Sequence, residues 1–287
     1  MKVVLVTGST GALGRAVVER IRKDGHFHVV EAGRSPSNKH GIVLDVRNSE
    51  QITDVISKIK PDLILHLAAT YVNEFSEAYA VNVEAARHVM NAIMHLRSCS
   101  RVLLIGSAAE YGIVKPEENP IREDRILKPV SVYGLTKAWQ TQLAGLYAHY
   151  GVDVVVARIF NLNGPKMNKS LFIGHLQKQI DEVLSGRRAI IEVGLLTSLR
   201  DYVSTNEAAL QILNIAECGE TGHVYHVASG IPISIRDILY QYLAEYNIDE
   251  TIVKESAELT THTGYSIQEI YADVTRTKQL MQKMKAK

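Results

Sequence analysis

Tyr133 and Lys137 stand four residues apart in the stretch YGLTK, a spacing that puts a phenol and an ammonium on one face of a helix. An ammonium beside a phenol favours the phenolate, so the proton is easier to release. A tyrosine tuned in this way protonates a developing alkoxide or deprotonates an alcohol. The same pair also sits on ordinary helix surfaces without any chemistry, so its surroundings decide. Ser107 follows the apolar run Arg101 to Ile105, which reads as a strand. At the carboxyl edge of a sheet, its hydroxyl is available to bond the same oxygen.

The elements that must carry these residues begin at the start of the chain. Val3 to Val6 reads as a strand buried on both faces of a parallel sheet, and TGSTGALG follows at once, from Thr7 to Gly14. Gly8 makes the tight turn, Gly11 lets the backbone approach a pyrophosphate, and Gly14 lets the next helix pack closely. Helix amides from about Ala12 onward then point at phosphates, aided by the helix dipole. Nucleotide binding follows from this context of strand, glycine turn and helix.

Further strands are expected at Phe27 to Ala32, Gly41 to Leu44, Asp62 to Leu67 and Val152 to Ile159. Helices are expected at Glu50 to Ile59, Ser76 to Leu96 and Val132 to Tyr150. Strand and helix in alternation mean a doubly wound, Rossmann-type α/β fold with right-handed crossovers. After Gly164-Pro165 the pattern changes. The expected organisation is a dinucleotide-binding domain over 1–165 that takes back about 199–229. Residues 166–198 and 230–287 would form a smaller lobe over the strand ends, where ligands of open sheets bind.

Bulk properties narrow the classes. The 287 residues carry a net charge of +1, which gives no field for nucleic acid and no polybasic membrane patch. No run of about eighteen apolar residues is present and the first residues read as a core strand, so neither a membrane span nor a leader is expected. Cys99 and Cys218 are isolated, as reduced thiols of a cytoplasmic protein would be. The eleven histidines are scattered, and no metal site is expected.

In a Rossmann fold an acid at the tip of the second strand bonds the adenosine ribose. That tip here reads Gly33-Arg34-Ser35, and an arginine fork suits a 2′-phosphate. Glu31 is the competing residue, but it falls inside the strand, and Arg34 in a merely solvated turn is the other alternative. NADP, as NADPH, is therefore favoured over NAD. Asp45 is a candidate acceptor for the adenine amino group with Val46 flanking the ring, or else a simple strand-end cap.

Taken together, TGSTGALG, Asp45-Val46, HLAA (His66 to Ala69), GSAAEYG (Gly106 to Gly112), YGLTK, RIFNLNGP (Arg158 to Pro165) and RDYV (Arg200 to Val203) resemble the extended short-chain dehydrogenase/reductases, in particular those acting on nucleotide sugars. The resemblance implies that Ser107, Tyr133 and Lys137 form the catalytic triad, with Lys137 also holding the nicotinamide ribose. It implies that Thr10, Leu13, Leu67, Ala68, Ala69 and Phe160 join the glycine turn around the cofactor. On the substrate side it implies Ala108, Asn161 at the phosphates, Phe172, Val193, and Arg200 at the nucleotide. Asn161 bracing its own loop and Arg200-Asp201 as a local ion pair are the structural alternatives. His66 is assigned to packing.

Sugar-nucleotide dehydratases of that family carry an Asp-Glu pair after the serine or threonine; here the positions hold Ala108 and Ala109, which move no proton. Glu110 comes one place later, and alternation along an extended chain points it elsewhere. The stretches ARIFNLNGP, SLFIGHLQKQI and IEVGLLTSLRDYV most resemble the GDP-4-keto-6-deoxy-mannose reductases, which implies a 4-ketoreductase. An NAD-dependent epimerase or dehydrogenase with the same triad, and a non-catalytic dinucleotide sensor, are the alternatives. Relatives often place an arginine in the late loop, whereas Thr260 to Tyr265 has none, so the nucleotide base stays open. A homodimer through a four-helix bundle is expected, built on Val81, Ala85, Val89 and Ala92 of one helix and Gly145 and Ala148 of another.

Overall fold

The computed structural model describes residues 1–35, 41–259 and 267–285, so the late-loop stretch Thr260 to Tyr265 lies outside the described residues. Alternating apolar and glycine-punctuated runs give strands β1 (Lys2–Thr7), β2 (Phe27–Gly33), β3 (Ile42–Val43), β4 (Leu63–His66), β5 (Arg101–Ser107) and β6 (Val154–Ile159). Between them run helices α1 (Ala12–Asp24), α2 (Ser49–Ile59), α3 (Phe75–Tyr79), α4 (Ala85–Leu96) and α5 (Val132–His149). A π-helical turn, Ala80–Glu84, joins α3 to α4, so the expected single helix is present with a bulge in its middle. Then follow β7 (Asn161–Asn163), α6 (Phe172–Leu184), β8 (Ile191–Val193), β9 (Leu199–Ser204), α7 (Thr205–Cys218) and β10 (Val224–Val227). The remaining elements are β11 (Pro232–Ser234), α8 (Ile235–Glu245), β12 (Val253–Glu255), β13 (Glu269–Ile270) and α9 (Thr275–Lys285).

The main sheet has seven parallel strands in the order β10-β6-β5-β4-β1-β2-β3. Its order reverses direction between β1 and β4, the switch point where open sheets of this kind leave a crevice. Strand alternation divides the core into two layers. Val4, Val6, Leu63, Leu65 and Leu103 face α1, α7 and α9 in one layer. Leu5, Ile64, Val102 and Leu104 face α2, α4 and α5 in the other. A run of branched residues buried on both faces is what such a central strand requires.

A second, small sheet has the order β11-β9-β13, with β7 also pairing β9. It stands beside a lobe core in which Ile173, Leu176, Ile191, Leu239 and Leu243 are buried together. Two segments differ from the sequence expectation. Leu199–Ser204 pairs with the small sheet and not with the seven strands. Helix α9, assigned by sequence to the lobe, packs its Leu280 into the layer of α1 and α7. Serine and asparagine caps set several helix starts: Asn48 accepts from Gln51 N, Ser131 from Gly134 N, and Ser234 from Asp237 N. No helix among the described residues is long and apolar enough to cross a membrane.

Candidate active site

The crevice begins at the turn after β1. Gly8 takes φ +72°, a backbone region closed to most side chains, and a Cβ there would lie 2.7 Å from Ala68 N. Gly14 permits a still closer approach, since a Cβ would lie 2.2 Å from the Gly8 carbonyl oxygen. Gly11 is different: a Cβ would meet only that carbonyl, at an ordinary 3.5 Å, so the fold itself does not demand a glycine there. Helix α1 starts at Gly11 without a side-chain cap and with no acid in its first turn, which leaves its first amides for an anion. Among the described residues, the buried side-chain polar atoms without a partner are Ser9 Oγ, His66 Nε2 and Arg101 Nε. The first two belong to this crevice. Free amides, a bare turn and unpartnered polar atoms fit the phosphates of a dinucleotide.

At the other end of the crevice, Arg34 is exposed just past β2, near enough to Asp45 to help hold its carboxyl down. The competing residue, Glu31, is buried inside β2 with Arg22 Nη2 at 2.6 Å from its carboxylate, turned toward α1 and away from the strand tip. Asp45 is gripped by Arg47, with Nη2 to Oδ2 at 2.6 Å, and its pKa falls to about 2, first through that hydrogen bond. Val46 is buried in the core layer of α2 and α4. Leu67, Ala68 and Ala69 continue from β4 beside the Gly8 turn, and Leu67 N donates to the Thr7 carbonyl. Thr7 Oγ1 and His66 Nδ1 lie 3.0 Å apart across β1 and β4. Burial lowers the His66 pKa to about 3, with Lys137 adding to the shift, so the imidazole is neutral.

The three chemistry-bearing residues come from two elements that meet at the carboxyl edge. Ser107 ends β5 and lies beside Tyr133, which sits in the first turn of α5 after its Ser131 cap. Lys137, one turn on, is 1 % exposed and donates from Nζ to Gln140 Oε1 at 2.5 Å. Burial lowers its pKa to about 8, opposed by the nearby Glu110. The expected acidification of Tyr133 by Lys137 is corrected by this geometry. Burial first, then the neighbouring Tyr71, holds the phenol well above its ordinary pKa, with Ser107 pulling it back. Burial disfavours the phenolate, and the ammonium is turned to Gln140.

The substrate side is mixed. Ala108 follows Ser107 on a short 3-10 turn, Ala108–Tyr111, and Phe172 opens α6 half-buried at the lobe core. Val193 is buried in that core. The Phe160 ring packs against Tyr111 and His226, with centroids 6.4 and 5.1 Å away, so its side chain is occupied by packing. Asn161 Nδ2 donates to the Asp201 carbonyl at 3.2 Å, which ties β7 to β9. Arg200 and Asp201 do not form the ion pair considered from sequence. Arg200 donates to the Leu199 carbonyl, and burial lowers its pKa. The Asp201 carboxylate instead accepts from Ser229 N and Oγ, Gly230 N and Ala272 N.

Several contacts lie outside what the motifs point to. Tyr71, 39 % exposed, lays its ring on Tyr133 with centroids 4.6 Å apart. Its place in the sequence, two residues beyond HLAA at a strand end, is the one available signal. Gln140 stands three residues after Lys137, a same-face spacing that flags it in hindsight. Glu110, set aside from sequence as a proton-moving group, is 0 % exposed and faces Arg158.

A glycine turn at a sheet switch point, with a serine, tyrosine and lysine meeting at the same edge, defines a dinucleotide-dependent oxidoreductase site. The chain belongs to the NAD dependent epimerase/dehydratase family, the extended short-chain dehydrogenase/reductases, whose model matches residues 4–228. It is 27 % identical over 263 residues to GDP-6-deoxy-D-talose 4-dehydrogenase of Aggregatibacter actinomycetemcomitans, which covers 90 % of this chain and 85 % of the relative. It is 29 % identical over 206 residues to GDP-6-deoxy-D-mannose reductase of Pseudomonas aeruginosa, covering 69 % and 68 %. In fold it resembles the structure of RMD from Pseudomonas aeruginosa complexed with NADPH, at a TM-score of 0.84 and 20 % identity, over 97 % of this chain and 92 % of that one. The dTDP-glucose 4,6-dehydratase of Bacillus anthracis in complex with NAD is similar in fold at the same TM-score and 16 % identity, covering 98 % and 91 %.

Proposed function

We propose that the protein uses NADPH to reduce a nucleotide-linked 4-keto-6-deoxyhexose, with GDP the favoured carrier. One observation supports this above the others: Ser107 and Tyr133 meet at one sheet edge, while the two residues after Ser107, Ala108 and Ala109, bring no ionisable group. The edge is therefore equipped to give one proton and not to remove a second one from carbon, as dehydration would need. Two relatives bearing GDP-6-deoxyhexose names support the substrate class. Exposed Arg34 and inward-turned Glu31 support the 2′-phosphate over a free ribose.

The cofactor supplies hydride to the ketone carbon when bound. Ser107 bonds the ketone oxygen and fixes its direction, and Tyr133 gives its hydroxyl proton to that oxygen as the alkoxide develops. A phenol with a raised pKa is fully protonated at neutral pH and so is ready as a donor. Lys137 holds the nicotinamide ribose and places a positive charge beside the site. Asn161 and Arg200 stand on the lobe side for the substrate's phosphates and nucleotide.

We also infer a cytoplasmic homodimer, built on a four-helix bundle from α4 and α5 of each copy. Ala85, Val89 and Ala92 are buried against the subunit's own sheet, so the contact stripe expected from sequence is corrected to the outer faces, where Met94, Leu146 and Tyr150 are exposed. The deciding experiment is NADPH and NADH oxidation against GDP-, dTDP- and UDP-linked 4-keto-6-deoxyhexoses. Turnover with NADPH and a GDP-linked ketone is the expected result. A folded protein that carries tightly held NAD and turns over none of them would overturn the reading in favour of an epimerase.

A further inference from the structure

Glu110 has no part in the proton transfer, yet its carboxylate joins every element that carries the triad. Oε1 accepts from the Ser107 amide at 2.7 Å. Oε2 accepts from Thr141 Oγ1 at 2.9 Å, one turn beyond Lys137 on α5, and from Arg158 Nε at 3.0 Å on β6. Arg158 closes the pair through Nη2 at 2.8 Å, and its Nη1 donates to the Tyr111 hydroxyl at 2.7 Å. Space for the carboxylate exists because residue 106 is glycine: a Cβ there would stand 2.7 Å from Glu110 Oε1.

We propose that Glu110 is the positioning residue of this site: its buried carboxylate clamps the Ser107 end of β5 to α5 and so sets the spacing between Ser107, Tyr133 and Lys137. The inference rests on the reductase reading above for its kinetic readout. Three elements meet at one carboxylate, and a misplacement of about 1 Å at such a point costs on the order of a hundredfold in rate. The charge has a second effect. Lys137 faces His66 from β4, Gln140 from its own helix, and Glu110 from the turn after β5. Of these, Glu110 is the group that favours the ammonium, while burial opposes it.

Three variants test the clamp. Glu110→Gln keeps an acceptor for Ser107 N but removes the charge and the second acceptor oxygen. Glu110→Gln with Arg158→Gln does the same without stranding a buried guanidinium, which alone would endanger folding. Thr141→Val cuts only the tie to α5 and keeps the charge. Both Glu110 variants are expected to lose about tenfold or more in kcat with KM for NADPH and ketone within about twofold, the pattern of a lost transition-state alignment. Their alkaline limb moves to lower pH, because Lys137 deprotonates more easily, whereas Thr141→Val loses kcat with an unmoved limb. A folded variant with kcat within about twofold of wild type, or with its whole loss in KM, overturns the proposal. Should both Glu110 variants fail to fold, Thr141→Val is decided by the same kcat criterion. If the wild-type protein reduces none of the ketones, the reductase reading fails by itself. The Lys137 ε-methylene NMR titration, wild type against Glu110→Gln, then decides, with a downward shift expected and an unmoved midpoint contradicting the clamp.

Discussion

Gly11 and Gly14 sit three residues apart in one turn, yet an added methyl group should act on them in opposite ways. At Gly14 the new Cβ would lie 2.2 Å from the Gly8 oxygen and 2.8 Å from Ser9 Cα, both backbone atoms that no rotamer change moves aside. Helix α1 must shift away from the turn, at a cost of about 1–3 kcal/mol. For a chain of this size that lowers Tm by about 2–5 °C. At Gly11 the backbone is ordinary, with φ −67°, and the Cβ meets a single atom at 3.5 Å. Reduced freedom of the unfolded chain contributes about 0.4–1 kcal/mol, and the poorer N-cap takes away a similar amount. Stability of Gly11→Ala therefore stays within about 1 kcal/mol of wild type.

Dinucleotide binding should separate the two. With NADPH at about 100 times the wild-type Kd, the ligand stabilises the wild-type protein by roughly 2.7 kcal/mol; a tenfold weaker site leaves roughly 1.4 kcal/mol. Thermal melts with and without NADPH read both quantities in one experiment. Gly11→Ala should melt like wild type when free and lose about half or more of the NADPH-induced shift. Were it to lose free stability as Gly14→Ala does, or keep the full shift, the assignment of this turn to the pyrophosphate would be wrong.

Tyr133→Phe keeps the ring against Tyr71 and removes the donor, so kcat should fall by about 10²–10⁴ while stability changes by no more than about 1.5 kcal/mol; steady-state NADPH oxidation and a urea melt check the pair of values. Arg34→Ser should weaken NADPH by about tenfold and leave NADH nearly unchanged, measured as kcat/KM for each cofactor. The Lys137 ammonium is present below its lowered pKa of about 8 and is lost as pH rises through that value. The alkaline limb of kcat/KM should therefore fall near pH 8, and a limb near the ordinary lysine value would contradict the buried position of Lys137.

The half of the fold that carries the glycine turn was legible because two signals agree there. Branched apolar runs too short for helices alternate with helical stretches, and TGSTGALG sits where strand passes into helix. Ser107, Tyr133 and Lys137 were legible for the same reason, each being tied to the end of a strand or the start of a helix. The sequence placed Leu199–Ser204 with the dinucleotide-binding domain, and nothing local says which sheet receives it. Its partners, Pro232–Ser234 and Glu269–Ile270, are three and two residues long and distant in sequence. Helix α9 is basic and weakly patterned, and its place against α7 depends on Leu280 and on Thr277, whose hydroxyl donates to the His226 carbonyl. Side-chain direction was harder still. Spacing put Lys137 on the face of Tyr133, but burial and Gln140 decide where its charge acts, and the Tyr71 contact depends on how a loop returns over the site.

The small sheet draws its strands from four stretches, 161–163, 199–204, 232–234 and 269–270, interleaved with segments of the large one. Asp201 stitches this crossing by accepting from residues 229, 230 and 272. Neither half is therefore a contiguous length of polypeptide that could melt or be excised without unravelling its neighbour. Heat should take the molecule apart in one endothermic peak, and a protease that nicks a surface loop should release no autonomous fragment.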